Sequence, residues 1–217
     1  HTCAIDEDWY LYCWGDNEFG QVPHWQSSGG ATETSPMYSG YTSTRVIAGE
    51  HHTCLWGDSW DEISGSPWSA EMSSGISCAG ANSFGQLGDA TTLDRSTFAS
   101  VKIYEVNQIN AGVAMAVSGW NHNCVSWYSY SLCWGSNSSG QIGWSGLSIN
   151  VGQDTESSYY TWAVHTGVLP SPSSMSAGAN HTCVVDRFGF VACVGDNSQK
   201  QLGRQETNLE NSQYPRM

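Results

Sequence analysis

Short segments of alternating apolar and polar residues dominate the hydrophobic pattern of this chain. In segments 3–13 (CAIDEDWYLYC) and 183–193 (CVVDRFGFVAC), such alternation flanks a compact polar or glycine-containing turn. Alternation is typical of β-strands, because successive side chains point to opposite faces, and the central turn predicts a β-hairpin. No long stretch places apolar residues at helical spacing. The pattern therefore predicts an all-β fold of short strands joined by turns.

A motif with Cys, Gly, Asn and Gln at fixed spacing recurs along the chain. Its four copies are CWGDNEFGQV (13–22), CAGANSFGQLG (78–88), CWGSNSSGQIG (133–143) and CVGDNSQKQLG (193–203). A companion motif precedes each copy: HTC (1–3), GEHHTC (49–54), GWNHNC (119–124) and GANHTC (178–183). The repeated Gln residues lie 55 to 65 residues apart, a period that suits a four-stranded propeller blade better than most helical repeats.

The eight cysteines divide evenly over the repeats, with one in each copy of each motif. The predicted disulfides are Cys3–Cys13, Cys54–Cys78, Cys124–Cys133 and Cys183–Cys193. Residues 9 or 10 apart can face each other across a tight hairpin, at a separation that a disulfide spans. The second pair encloses a longer excursion, Trp56 to Ser77, which we interpret as an insertion at the hairpin tip. The rival interpretation, a metal site built from HxC and the second Cys, needs four identical sites, so we expect no metal.

Composition and charge narrow the cellular context and the classes of partner. An even number of cysteines in a chain that holds only seven Lys and Arg favours an oxidising, extracellular or cell-surface location. The formal net charge of −13 repels phosphate backbones, so we expect no nucleic-acid partner. No apolar run is long enough to span a membrane. The chain starts at a histidine without a signal peptide, and we interpret it as processed or partial.

The paired motifs resemble the repeat of the regulator of chromosome condensation (RCC1) family, in a cysteine-bearing form known from secreted proteins. The resemblance covers all four copies and is weak in the linking segments 23–47, 89–117 and 144–175. It implies an all-β β-propeller of four RCC1-like four-stranded blades, and a single repeat domain over 1–217. The approximate units are 1–47, 48–117, 118–175 and 176–217.

The resemblance also implies that the motif residues shape the turn of each blade. The turn residues are Asn17, Gly20, Gln21, Asn82, Gly85, Gln86, Asn137, Gly140, Gln141, Asn197 and Gln201. Their chemistry agrees, because Asn bonds its own backbone in turns, Gly accepts a positive φ and Gln can satisfy nearby backbone groups. Lys200 stands where the fourth copy should carry glycine, so we expect an altered turn there.

The repeated histidines His1, His52, His122 and His181 suggest general bases, but a catalytic base is needed once. We expect them to bond backbone groups within each blade. No nucleophile elbow, paired-carboxylate or phosphate-loop motif supplies a reaction, so we predict no enzyme activity and no cofactor. Two sequons, at Asn137 and Asn180, are possible glycosylation sites; at Asn137 we favour the turn role, and at Asn180 glycan attachment stays open.

Two functions are compatible with these features, and in both the partner contacts residues outside the repeated motifs. The first is a non-enzymatic extracellular scaffold, a subunit of a surface fibre or matrix that associates with itself or with another matrix protein. The second is a secreted module that binds a protein or glycan through aromatic loop residues, with an equal alternative that these rings fill the spaces between blades. The candidate residues are Trp56, Trp60, Trp68, Tyr159, Tyr160 and Trp162.

The phase of the repeat leaves one blade incomplete, because the chain opens at an HTC motif and closes just after Pro215. Three arrangements remain open. The tail closes the ring against the first strand, the sequence is a window of a longer array, or a neighbouring chain completes the open blade.

Overall fold

The regular structure of the chain is entirely β-strand in the part described by the computed structural model, residues 1–23, 32–56, 75–102, 113–127, 130–143, 159–165 and 172–203. Within these segments, fourteen strands form four antiparallel sheets. These segments contain no helix that is long and apolar enough to cross a membrane. The all-β prediction is confirmed.

The four sheets follow one another along the chain. The first has the order β1-β2-β3, with β1 (Thr2–Ile5), β2 (Tyr10–Gly15) and β3 (Glu33–Thr42). The second has the order β4-β5-β6-β7, with β4 (Arg45–Ala48), β5 (His52–Trp56), β6 (Ile76–Gly80) and β7 (Arg95–Ser100). The third has the order β11-β10-β9-β8, with β8 (Val113–Ser118), β9 (His122–Trp127), β10 (Tyr130–Ser136) and β11 (Tyr159–His165). The fourth has the order β12-β13-β14, with β12 (Pro172–Ala177), β13 (His181–Asp186) and β14 (Val191–Gly195).

The two repeat motifs form the central strand pair of each sheet. In each pair the two cysteines lie directly opposite each other, with a Cα–Cα distance of 4.1 Å. The disulfides join the four predicted pairs, Cys3–Cys13, Cys54–Cys78, Cys124–Cys133 and Cys183–Cys193. Each blade therefore carries one covalent cross-link between its two motif strands.

The sheets begin slightly before the repeat units that the motifs predict. Strand β4 starts at Arg45, β8 at Val113 and β12 at Pro172, so each predicted unit boundary falls inside the first strand of the next sheet. These strands carry no motif of their own, and only their pairing with the following HxC strand assigns them to a sheet. Among the described residues the second and third sheets have four strands and the outer two sheets have three.

Apolar side chains fill the space between consecutive sheets. Leu11 and Cys13 of the first sheet pack with Leu55 of the second. Trp56 of the second sheet and Leu87 of the turn after β6 pack with Trp134 of the third sheet. A third cluster joins the third and fourth sheets and contains Cys124, Cys133, Ile142, Val184, Ala192 and Val194. The sheets thus stack face to face in chain order, as the blades of a propeller do.

Candidate functional site: the bridges between blades

The turn within each copy of the Cys-Gly-Asn-Gln motif is held by the Asn and Gln side chains. The Asn side-chain oxygen accepts a hydrogen bond from the backbone N–H five residues later, at 2.9 to 3.2 Å. The Gln Oε1 accepts one from the backbone N–H two residues earlier, at 2.8 to 2.9 Å. The same contacts recur at Asn17 and Gln21, Asn82 and Gln86, Asn137 and Gln141, and Asn197 and Gln201. Short polar side chains thus satisfy the backbone of a turn that lacks ladder bonds.

The fourth residue of each turn adopts a positive φ. The values are 83° at Gly20, 72° at Gly85, 74° at Gly140 and 65° at Lys200. In all four turns this residue donates its N–H to the carbonyl of the Asn. The expectation of an altered fourth turn is therefore wrong: the surrounding hydrogen bonds hold Lys200 in the left-handed region, which a glycine would adopt without strain.

The HxC motifs link each blade to the next one. The His1 Nε2 lies 2.8 Å from the hydroxyl oxygen of Thr53, and Thr53 donates that hydroxyl to the carbonyl of Gln21 at 2.6 Å. The same arrangement joins His122 to Thr182, at 2.8 Å, and Thr182 to the carbonyl of Gln141, at 2.8 Å. We call this chain of contacts, from histidine to Thr or Asn to Gln carbonyl, an inter-blade bridge.

The middle bridge uses Asn in place of Thr. The His52 Nε2 lies 2.9 Å from the Asn123 Oδ1, and the Asn123 Nδ2 donates to the carbonyl of Gln86 at 2.7 Å. In every bridge the Thr or Asn oxygen accepts from the imidazole, because its donor group is committed to the Gln carbonyl. The proton of each bridging histidine is therefore on Nε2.

These contacts correct the expected role of the histidines. They were expected to bond backbone groups within their own blade, but Nε2 of His1, His52 and His122 bonds a side chain of the following blade. The partner is the residue just after the next repeated histidine. The visible signal was that this residue is Thr or Asn in all four copies, a small side chain that can both donate and accept.

A glycine three residues before His52, His122 and His181 makes room for the imidazole ring. Added Cβ atoms at Gly49, Gly119 and Gly178 would overlap the imidazole rings of His52, His122 and His181. Each glycine also donates its N–H to the carbonyl of its histidine, at 2.8 to 2.9 Å. The G-x-x-H spacing thus closes a short turn in which only a residue without a side chain fits.

Burial keeps His52 and His122, the two fully enclosed histidines of the bridges, neutral. His52 and His122 are 0% exposed. Burial lowers the pKa of His52 to about 4, against an opposing contribution from its hydrogen bond to Asn123. Burial also lowers the pKa of His122 to about 3, with smaller contributions from the charges of His52 and His181. A histidine that is neutral and enclosed at physiological pH fastens two blades together rather than moving protons to a substrate.

The second blade contains a polar cluster around Asp89 that the sequence did not predict. Asp89, 3% exposed, accepts hydrogen bonds from the Thr91 hydroxyl at 2.7 Å and from the Arg95 guanidinium at 3.0 and 2.9 Å. Burial acts to raise the pKa of Asp89, but the hydrogen bonds from Thr91, Arg95 and Asn82 together outweigh it and lower the pKa below its usual value. The cluster ties the loop after the second motif to strand β7. Its only sequence signal was an Asp and an Arg in one unrepeated segment.

The aromatic candidates for partner binding are placed differently from the expectation. Trp56 is the last residue of β5, is 6% exposed and packs in the core between blades, so its assignment to an exposed loop is wrong. Ser77 likewise lies in β6, and the two strands pair up to Trp56 and Ile76. Trp60 and Trp68 lie outside the described residues.

The second aromatic group belongs to a strand and not to a linker. Tyr159, Tyr160 and Trp162 all lie in β11, which pairs with β10. Tyr160 packs against the core between the third and fourth blades. Trp56 and Tyr160 thus fit the alternative in which the aromatic rings fill the spaces between blades. Neither residue is an exposed candidate for partner binding.

The two sequon asparagines have structural contacts. The Asn137 side-chain oxygen accepts from the Ile142 N–H at 3.2 Å, and the Asn180 carbonyl accepts from the Asp196 N–H at 2.8 Å. Asn180 is half-buried. Glycan attachment stays a prediction at both positions. No group of three or more metal-ligating side chains converges within the described segments.

Comparison with known proteins supplies the family context for this geometry. The model of the regulator of chromosome condensation (RCC1) repeat matches residues 1–21. Yeast RCC1 (Prp20) bound to Kap60 superposes with a TM-score of 0.73 over 98% of this chain, at 14% identity. The chain has the RCC1-like propeller fold. Its disulfide in every blade is the cysteine-bearing form that the sequence predicted.

Further solved structures share this RCC1-like fold at low identity. Prp20p from Saccharomyces cerevisiae, described with its binding to Gsp1p and histones, gives a TM-score of 0.72 at 14% identity over 98% of this chain. Human WBSCR16 gives 0.63 at 11% identity over 89% of this chain. The chain spans 45%, 47% and 44% of these three proteins, which is less than half of each. No curated protein matches the sequence.

Proposed function

We propose that this RCC1-like chain is a non-enzymatic extracellular scaffold, a subunit of a surface fibre or matrix whose partners are proteins, including copies of itself. The observation that carries the proposal is the placement of the disulfides. Five of the eight cysteines are 0% exposed and pack against the neighbouring blade. The first three disulfides thus stiffen their blades at the surface where each meets the next one.

The energetics of the disulfides suit a durable material. The sequence separations of 9, 10, 10 and 24 residues close loops that each contribute about 2.5–3.5 kcal/mol on the chain-entropy model. Such bonds persist in an oxidising compartment, whereas thiols are kept reduced in the cytosol. The structurally similar proteins bind Kap60, Gsp1p and histones, which supports a protein as the partner class.

The test is the thiol state and location of the native protein. The protein is isolated with an alkylating agent present from the moment of lysis, and its peptides are mapped without reduction. We expect no alkylated cysteine, the four intrachain pairs, and recovery from the extracellular fraction in a high-mass assembly. Recovery from the cytosol with alkylated Cys124 and Cys133 would sink the proposal.

A second candidate function, the aromatic binding module, is favoured by Trp9. Trp9 has a φ of 68° at the β1–β2 hairpin tip and is 55% exposed. The fourth blade builds the same tip with Gly189, at a φ of 87°. In both tips the αL residue donates to an Asp carbonyl at 3.1 Å. A large exposed ring thus occupies a position that a glycine fills without strain.

The surroundings of Trp9 add further exposed aromatic surface. Tyr10 and Tyr38 are 36% and 40% exposed, and their ring centroids lie 5.2 Å apart in an edge-to-face arrangement. Exposed rings of this kind anchor proteins and glycans. Backbone strain at an exposed residue supports a role in binding more than one in stability.

Exchange of the tip residues should separate binding from stability. We expect Trp9→Gly to keep or raise the free energy of unfolding, by up to about 1 kcal/mol, because it relieves the αL strain. The reciprocal Gly189→Trp should lower it by about 1 kcal/mol. Urea unfolding followed by circular dichroism measures both changes.

The binding half of this test uses a glycan array probed with the natural chain and with the Trp9→Gly variant. The second candidate requires binding by the natural chain that the variant loses. Retention of full binding by Trp9→Gly, or a loss of more than about 1 kcal/mol of stability in that variant, would remove Trp9 from the candidate site.

A further inference from the structure

Three large apolar side chains are exposed at one end of the second and third blades, each of which has a neighbouring blade on both sides. Phe84 is 42% exposed, Leu93 is 65% exposed and Trp120 is 51% exposed. Phe84 and Leu93 lie between β6 and β7, and Asn82 Nδ2 holds them in one turn by donating to the Leu93 carbonyl at 3.1 Å. Trp120 lies in the loop before β9. We call Phe84, Leu93 and Trp120 the turn-end patch.

A side chain of the turn connects the two parts of the patch across the joint between the blades. The Gln86 Oε1 accepts a hydrogen bond from the Phe84 N–H at 2.9 Å. The Nε2 of the same side chain donates to the Asn121 Oδ1 at 3.2 Å. Asn121 directly follows Trp120 in the chain. The turn-end patch is therefore one connected surface of two blades and not a set of scattered side chains.

The other blades indicate that the turn does not need a ring at the position of Phe84. The third and fourth blades carry Ser139 and Gln199 there, and their N–H groups make the same hydrogen bond to the turn Gln, at 2.9 and 2.8 Å. In the first blade this residue is Phe19, which is half-buried and packs on the ring of His51 at a centroid distance of 5.0 Å. The third blade carries an asparagine in place of that histidine, so Phe84 has no ring to pack on at this position.

The loop before β9 likewise does not need the indole of Trp120. The Glu50 N–H donates to the Trp120 carbonyl at 3.3 Å, and the Trp120 N–H donates to the Ala179 carbonyl at 3.1 Å. These two bonds use backbone atoms alone, and the fourth blade takes part in them with an alanine. A half-exposed indole that adds nothing to this link supports a role in recognition, because connected apolar patches with exposed aromatic rings mark sites of protein contact.

The border of the turn-end patch is acidic. Glu50 and Asp94 are exposed beside it. Segments 49–54, 81–95 and 119–124 together contain one Lys or Arg, namely Arg95, and its guanidinium lies 2.9 Å from the Asp89 carboxylate. Apolar surface with a negative border is complementary to a partner that carries positive charge beside an apolar side chain.

We propose that the turn-end patch is a docking site for a protein segment in which Lys or Arg flanks an aromatic or aliphatic side chain. The apolar side chain of the partner packs on Trp120 and Phe84, and its cationic groups contact Glu50 and Asp94. The site lies at the opposite end of the strands from the hairpin tip that carries Trp9, so it is separate from the second candidate function. The inference names a partner class for the proposed scaffold and rests on that proposal for its biological setting.

The probe is a display library of random linear peptides, selected on the immobilised, oxidised full chain. We expect the selected peptides to share an aromatic or aliphatic residue flanked by Lys or Arg. One such peptide is then synthesised, and its dissociation constant is measured by calorimetry. Trp120→Ala, which copies the fourth blade, should weaken binding about tenfold or more, and Phe84→Ser, which copies the third blade, about fivefold. Glu50→Gln should weaken binding about threefold at low salt and less at high salt.

The matched control is Phe188→Ser. Phe188 is 69% exposed at the β13–β14 hairpin tip, at the other end of the blades, so this variant should bind the peptide as the natural chain does. Trp120→Ala and Phe84→Ser introduce residues that other blades already carry at these positions, and both variants should keep the unfolding curve of the natural chain. Circular dichroism in urea verifies that each variant is folded.

Three results would overturn the docking site. The selection returns no binding peptide, the selected peptides lack Lys and Arg, or Trp120→Ala binds the selected peptide as tightly as the natural chain does. Binding to a glycan array in the absence of any peptide binding belongs to the first of these results. None of them changes the thiol state or the extracellular recovery that tests the scaffold proposal, so the two proposals can fail separately.

Discussion

Acidification from pH 6.5 to about 4 is expected to destabilise the protein by several kcal/mol through two buried histidines. The pKa of His52 is lowered to about 4 and that of His122 to about 3, in each case mainly by burial. In the unfolded chain both groups have a pKa near 6.5. Between these values the unfolded state binds more protons than the folded state, so stability falls as the pH falls.

The size of the effect follows from the linkage slope. Protonation of each histidine lowers the free energy of unfolding by up to about 1.4 kcal/mol per pH unit below 6.5. Each histidine therefore costs about 3 kcal/mol of stability by pH 4. The full stabilisation is present above pH 6.5. The lowered pKa of Asp89 acts in a separate window, because its contribution is lost only as the pH falls below the ordinary aspartate value of 3.8.

Urea unfolding at pH 7, 5.5 and 4.5 measures this slope. His122→Gln removes one titrating ring while an amide N–H remains available to Thr182, so the variant should lose stability less steeply with acid. His51→Gln, which removes a half-exposed histidine whose charge is the smallest of the contributions to the lowered pKa of His52, is the matched control and should flatten the slope only slightly. A free energy of unfolding that stays level from pH 7 to 4.5, or equal flattening in the control, would contradict this explanation.

Replacement of Gly119 by Ala should produce the second large loss of stability. An added Cβ would overlap the ring of His122 and would lie 2.5 Å from the carbonyl oxygen of Gly178 in the next blade. Neither neighbour can withdraw, because the ring is held by Thr182 and the carbonyl belongs to the backbone. We expect a loss of about 3 kcal/mol, at the upper end of the cost of overpacking.

A second glycine separates this steric effect from backbone strain. A Cβ at Gly189 meets nothing within 4 Å, but its φ is 87°, so Gly189→Ala should cost about 1 kcal/mol from strain alone. Thermal and urea unfolding of both variants give the comparison. Equal losses of unfolding free energy in Gly119→Ala and Gly189→Ala would contradict the explanation that Gly119 makes room for the histidine ring.

The sequence was sufficient for the features that depend on local chemistry. The disulfide partners lie opposite each other because each hairpin contains one Cys of each motif. The Asn–Gln turn likewise uses contacts within six residues. Such contacts recur wherever the motif recurs, so the four copies of the motif were enough to predict them.

The partners of the histidines could not be predicted in the same way, because they belong to the neighbouring blade. The His52 ring bonds Asn123, 71 residues later, and only the stacking of the sheets brings the two together. The position of Trp56 was missed for a related reason. The cysteine pair shows that an excursion exists, but pairing beyond the cysteines decides where the strands end.

Lys200 shows a different limit. Its φ of 65° violates the local preference for glycine, yet the Asn197 and Gln201 contacts of that turn are the same as in the other blades. A propensity of about 1 kcal/mol against αL is smaller than the combined effect of several hydrogen bonds. The backbone preference of Lys200 therefore gave a wrong prediction because the hydrogen bonds of the repeated turn outweigh it.

Inter-blade bridges fasten the disulfide-linked blades to one another. A double-mutant cycle between His122 and Thr182, with His122→Gln, Thr182→Val and the combined variant, tests it most directly at pH 7. We predict a coupling free energy of about 1 kcal/mol or more in urea unfolding, as expected for side chains in direct contact. Strictly additive losses, with no coupling between the two positions, would contradict the claim.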